Sequence, residues 1–211
     1  MANLSGAIQQ AIAICWNESI GYYFGGYQDS TGYDCSGLIC RCLHDNGFNV
    51  TSQRVGTLQL TSHLQNAGFQ TIPYSSGMQM QPGDVVTIND GSYGHAYFYM
   101  ENVNGYSDYP TSPVPDYASN VTNTIVLLPY AKIEAFSKLG HTGSGDVANS
   151  HGAHCEVWVH RLNPNNITNG HADNTCFISR WPGGMITEPI TGSIGLLFMS
   201  LIESKRRKRR N

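Results

Sequence analysis

Apolar residues recur at helical spacing near the start of the chain. Leu4, Ile8, Ala11, Ile12 and Cys15 fall on one stripe, which predicts a helix over 3–19 capped by Asn3 or Ser5. A loop rich in glycine and tyrosine, GYYFGGYQDSTGYD, follows. A second helix is predicted over 36–46, ended by Gly47, and a third over 57–66, ended by Gly68. The pattern then changes. Residues 84–88, 95–100, 124–128, 132–136 and 156–162 are short runs rich in β-branched and aromatic side chains, separated by loops, and read as strands. Helices followed by a run of strands predict an α+β fold in which N-terminal helices pack on an antiparallel sheet. After Leu162 the text NPNNITNGHADN is dominated by turn formers. The expected division is therefore a domain over 1–162 and a loop-rich C-terminal appendage over 163–211, with a short apolar segment and a basic tail.

Composition narrows the function classes. The chain has 211 residues, 40% of them hydrophobic and only 13% charged, which suits a soluble, loop-rich protein with few surface ion pairs. The net charge of −3 is unevenly spread: six of the twelve Lys and Arg lie at 205–210, leaving 6 basic against 15 acidic residues, −9, elsewhere. The body is no nucleic-acid binder on charge grounds, so no specific nucleic acid is expected as partner. The tail would be drawn to an anionic polymer, lipid or nucleic acid, and residues 163–211 are the expected contact for a partner. The first residues lack a basic segment, and Gln9 and Gln10 interrupt the apolar stretch, so no signal peptide is expected. Synthesis in the cytoplasm would follow. No run approaches the roughly 20 apolar residues of a membrane span, and 194–202 is too short.

The six cysteines are Cys15, Cys35, Cys40, Cys42, Cys155 and Cys176. A chain this long does not depend on disulfides, and reduced, mostly buried thiols are expected. Cys40 and His44 share a helical face, and HGAHC offers His151, His154 and Cys155. Neither group has the paired short spacing of a structural zinc site, so neither a metal nor any other cofactor is expected.

One cysteine differs from the rest. Cys35 stands at a predicted helix start in YDCSGLICRCL, with Asp34 placed as a cap. Unpaired N–H groups and the positive end of the dipole favour a thiolate there. The base must come from elsewhere, and His95 opens a strand directly after GSYG. On that strand His95, Tyr97 and Tyr99 share one face, and Ala96, Phe98 and Met100 the other. A third polar group should orient the imidazole.

GYYFGG, then YDCSGL, then QPGDVV, then GHAYFYM resembles the NlpC-type papain-like cell-wall peptidases, including lysins carried by phages. The matching positions are Tyr22, Gly25, Gly26, Asp34, Cys35, Ser36, Gly37, Pro82, Gly83, Asp84 and His95, and the likeness covers roughly residues 3–162. GTLQLTSHLQNAGFQ is similar to a helix that phage amidases place between nucleophile and base. The resemblance implies the papain-like fold and thiolate attack by Cys35 on an amide carbonyl of a peptidoglycan stem peptide. His95 serves as base, and the Cys35 N–H and the Tyr22 hydroxyl hold the oxyanion, with Asp34 and Ser36 beside them. In the family the third residue is usually His, Asn or Gln, often in an IHA-like triplet. The nearest match here is Ile133-Glu134-Ala135, so Glu134 takes that place, with His141 as the second candidate. Three readings remain: a peptidoglycan amidase or endopeptidase of phage-lysin or antibacterial-effector type, a structural or wall-docking component without turnover, and a papain-like protease acting on protein. The resemblance also makes a wall or virion partner the expected contact of residues 163–211, with delivery by a holin, a virion or a secretion machine.

Overall fold

A computed structural model describes residues 1–17, 20–106, 125–137 and 155–183. The elements in chain order are α1 (Leu4–Cys15), β1 (Tyr27–Gln28), β2 (Gly32–Tyr33), α2 (Cys35–Asp45), α3 (Thr57–Asn66), β3 (Gln70–Pro73), β4 (Val85–Asn89), β5 (Gly94–Tyr106), β6 (Ile125–Ser137), β7 (Cys155–Arg161) and β8 (Cys176–Arg180). Three helices on an antiparallel sheet make this the expected α+β arrangement.

All three predicted helices form. The Asn3 side chain accepts the Gly6 N–H at 2.9 Å, so Asn3 caps α1. The apolar stripe of α1 is buried, as are Leu38, Ile39, Cys42 and Leu43 of α2. Opposite them lies one face of the sheet: Ala96, Phe98 and Met100 from β5, Ala131, Ile133 and Ala135 from β6, and Val157 and Val159 from β7. Each fully buried Leu, Ile or Phe stabilises this layer by about 1.5–3 kcal/mol. Phe48, Phe69 and Trp181 close one end, with ring centroids 4.9–5.3 Å apart.

The six-stranded sheet runs β3-β8-β4-β5-β6-β7. Two outcomes differ from the sequence reading. Of the runs 124–128 and 132–136, expected as separate strands, the described residues 125–128 and 132–136 belong to one strand, β6. Pro129, which carries no N–H, lies opposite Asn102, which takes φ 52. On either side of that position the ladder with β5 keeps one register, Glu101 with Tyr130 and Val103 with Leu128. Residues 163–183, expected as the start of an extension, run back into the sheet instead. Cys176 and Ile178 of β8 are buried, and β8 lies between β3 and β4. The loop composition of 163–174 hid this return.

The second sheet face is also covered. Val86, Ile88, Tyr97, Tyr99, Cys176 and Ile178 pack there with Met80, Leu162 and Ile167. The Tyr97 hydroxyl donates to the Ile167 carbonyl at 2.6 Å. Among the described residues no helix is long and apolar enough to cross a membrane.

Candidate active site

The local chemistry of residues 20–37 holds the thiol. Asp34 is the N-cap of α2: one oxygen accepts the Gly37 N–H at 2.7 Å and the Ser36 hydroxyl at 3.0 Å. The other accepts the Gly25 N–H at 3.0 Å and the Arg54 Nε–H at 2.8 Å. Burial pushes the Asp34 carboxyl up, and these donors and the Arg54 charge oppose that push. Gly37 is a close approach: a Cβ there would stand 1.9 Å from the Gly26 carbonyl oxygen. The paired glycines and Gly37 thus let the loop lie flat on the first turn of α2. Tyr22 is buried and bridges to Tyr33 beside the cap. Cys35 is the first residue of α2 and is partly exposed, whereas Cys15, Cys40, Cys42 and Cys176 are buried. Burial drives the Cys40 thiol up to about 12, which suits an inert packing residue.

His95 is brought in by the sheet. A turn fixed by Asp90, which accepts from Ser92 N at 2.9 Å and Tyr93 N at 2.6 Å, delivers the chain into β5. Upstream, Gly83 takes φ +92 in the turn before β4, a conformation that disfavours any side chain. Asp84 of that turn is clamped by Arg180 of β8, at 2.9 and 2.7 Å. β4 then pairs with β5, Ile88 opposite His95. The His95 imidazole lies within electrostatic reach of the Cys35 sulfur. Its Nε2 lies 2.5 Å from Glu134 Oε2. A carboxylate only accepts, so Nε2 carries the proton and Nδ1 is left to face the sulfur.

Glu134 is 1% exposed and has β6 neighbours of matching chemistry. Its second oxygen, Oε1, hydrogen-bonds His160 Nε2 from β7. Lys132, two residues earlier on the same face, donates to Asn169 Oδ1 and lies 4.7 Å from the centre of the Tyr97 ring. Burial alone would raise the Glu134 carboxyl, yet Lys132, His95 and His160 hold it well below its ordinary range. Burial likewise opposes charge on His95. The Glu134 carboxylate and the thiol outweigh it, and the imidazole is raised to about 9.

Cys35, His95 and Glu134 therefore come together, with Asp34 and Ser36 at the cap below them. His141 lies outside the described residues, as do His151, His154 and the basic tail. His44 Nδ1 is engaged with the Val50 carbonyl at 2.8 Å. Among the described residues no three His, Cys, Asp or Glu side chains are arranged to hold a metal ion. Sequence reasoning missed His160, Lys132, Arg54 and Arg180. The available signal was the alternation in VWVHR, where Val157 and Val159 face the helices and His160 must share the face of Lys132 and Glu134.

No curated protein matches the chain. Residues 20–110 match the NlpC/P60 family, whose members are cysteine peptidases and amidases acting on peptidoglycan. The matched stretch contains Cys35 and His95 and ends before Glu134 and His160. The segment that presents the thiol at a helix start and the imidazole on the facing strand is thus the part of the chain that is similar to the NlpC/P60 family, which supports the NlpC-type resemblance.

Proposed function

We propose that this protein hydrolyses amide bonds in peptidoglycan stem peptides through a Cys35–His95 pair oriented by Glu134. One observation carries the reading: a partly exposed thiol at a helix N-terminus lies within electrostatic reach of an imidazole whose far nitrogen is held by a buried, ionised carboxylate. That arrangement supplies each requirement of nucleophilic acyl transfer. His95 Nδ1 takes the Cys35 proton, and Glu134 steadies the resulting imidazolium. The thiolate adds to the amide carbonyl. The Cys35 backbone N–H, at the positive end of α2, and the Tyr22 hydroxyl stabilise the oxyanion. As the C–N bond breaks, His95 gives its proton to the leaving amine, and the acyl group stays on sulfur. A water deprotonated by His95 then attacks the thioester, releasing the acid and restoring the thiol.

The likeness of the α3 segment to phage amidases supports a phage lysin, delivered by holin or virion, as the biological setting. Purified peptidoglycan digested with wild type, Cys35→Ala and His95→Ala and analysed by mass spectrometry tests the activity. New stem-peptide fragments from wild type alone identify the bond cut. No fragments from walls of several chemotypes, with the thiol reduced, would reject it.

A further inference from the structure

Glu134 is shared between two histidines, and the mechanism uses only one. The other, His160, is 0% exposed in β7. Its Nε2 bonds Glu134 Oε1, and its Nδ1 lies 3.2 Å from the Arg161 carbonyl oxygen. A carboxylate has no proton to give at the pH where it is ionised, so His160 Nε2–H is the donor. Among the described residues, the charged and titratable groups around it include Glu134 and Lys132 on β6, with Lys132 directly opposite in register. Arg161 is its neighbour on β7, and beyond Glu134 lie His95 and Tyr97 of β5.

A carboxylate held at one oxygen turns freely about its last torsion, which is broad and shallow. Held at both oxygens by two imidazoles from flanking strands, its plane is fixed. Deepening the thiolate reading above, on which this rests, we propose that His160 is a positioning residue. It anchors the rear oxygen of Glu134 so that the front oxygen stays on His95 Nε2, making a line of four side chains, Cys35–His95–Glu134–His160. His160 does not touch substrate and exchanges no proton during turnover. The proton shuttles only between the Cys35 sulfur, His95 Nδ1 and the leaving group.

The experiment reads the Cys35–His95 pair directly, without peptidoglycan. The full chain is alkylated with iodoacetate across pH, for wild type, His160→Leu, His160→Gln and Cys35→Ala. An anionic reagent reacts fastest when thiolate and imidazolium coexist, so wild type should give a bell. In H160L a loosened Glu134 stabilises the imidazolium less. The acid limb should move up and the alkaline limb down, each by about one pH unit, and the rate on the acid side should fall about tenfold. H160Q, whose amide N–H can take the place of Nε2–H, should recover most of the loss. A structural role alone would not narrow the bell from both sides or distinguish Gln from Leu. The proposal is overturned if H160L follows the wild-type curve, or if H160Q is as impaired as H160L. If wild type itself alkylates like a free cysteine, the thiolate reading falls, and this proposal with it. Should H160L fail to fold, proton NMR of wild type decides. Hydrogen-bonded Nε2–H signals from both His95 and His160 support the proposal, and an unprotonated His160 Nε2 overturns it.

Discussion

Replacing Glu134 by glutamine isolates the charge of the orienting group while keeping its shape. In the native site, His95 is raised from an ordinary 6.5 to about 9 although burial works against it, with Glu134 the first cause on the raising side. At about 1.4 kcal/mol per pH unit, that rise corresponds to about 3 kcal/mol favouring the imidazolium. The glutamine removes the charge. It also presents an N–H₂ to one of two imidazoles that each need an acceptor, so His95 or His160 must change tautomer or swing away. If His95 turns Nδ1–H toward the sulfur, it can no longer take the thiol proton. Together these effects should lower kcat by about 10²–10³-fold with little change in KM. The sign for pH follows from a raised histidine: the imidazolium persists up to about pH 9 in wild type. In E134Q the alkaline limb of the iodoacetate profile should fall back to near pH 6.5 or below. The assay pairs that profile with initial rates of peptide release from purified peptidoglycan. Turnover within threefold of wild type, with an unmoved alkaline limb, would refute the reasoning.

Asp34→Ala removes a helix cap and the partner of Arg54, which should cost about 1–2 kcal/mol and lower Tm by several degrees in calorimetry. Arg180→Met strands the buried Asp84 carboxylate, and a loss of about 3–5 kcal/mol should appear as a lower urea midpoint. Mass spectrometry after brief alkylation of the native protein should find Cys35 modified and Cys15, Cys40, Cys42 and Cys176 spared until urea is added, since all four are buried. Stability measured against pH should show two losses. The His95 contribution is complete below about 6.5 and disappears as pH rises toward about 9. The Glu134 contribution is present above its ordinary range and disappears as pH falls well below it.

The dyad was readable in the sequence because its signals are local. A cap, a cysteine and two small residues mark the start of α2, and GSYG followed by an alternating run marks β5. Glu134 was legible only through the triplet it sits in, since Lys132 and Glu134 at alternate positions look like an ordinary solvent-facing edge. Periodicity reports which residues share a face but not what covers that face. Here the second face is roofed by Met80, Leu162 and Ile167, which turns polar positions into a buried charge cluster. His160 and Arg180 were hidden for the same reason: their partners, Glu134 and Asp84, are distant in sequence and meet them only across strand pairings. β8 escaped because five residues after a polar loop carry too little pattern to outweigh the turn formers around them.

The place of β8 between β3 and β4 also orders events in time. Asp84 waits for Arg180, 96 residues later, and the strand carrying that arginine is the last described element to be made. While the chain is being synthesised, both neighbouring strands hold open edges that only this late strand can fill, a long-range closure of the kind that folds slowly. Cys35 and His95 are made early, but the sheet that aligns them is completed late. A ribosome-bound chain cut short before Cys176 would therefore carry Cys35 and His95 without the finished frame that aligns them.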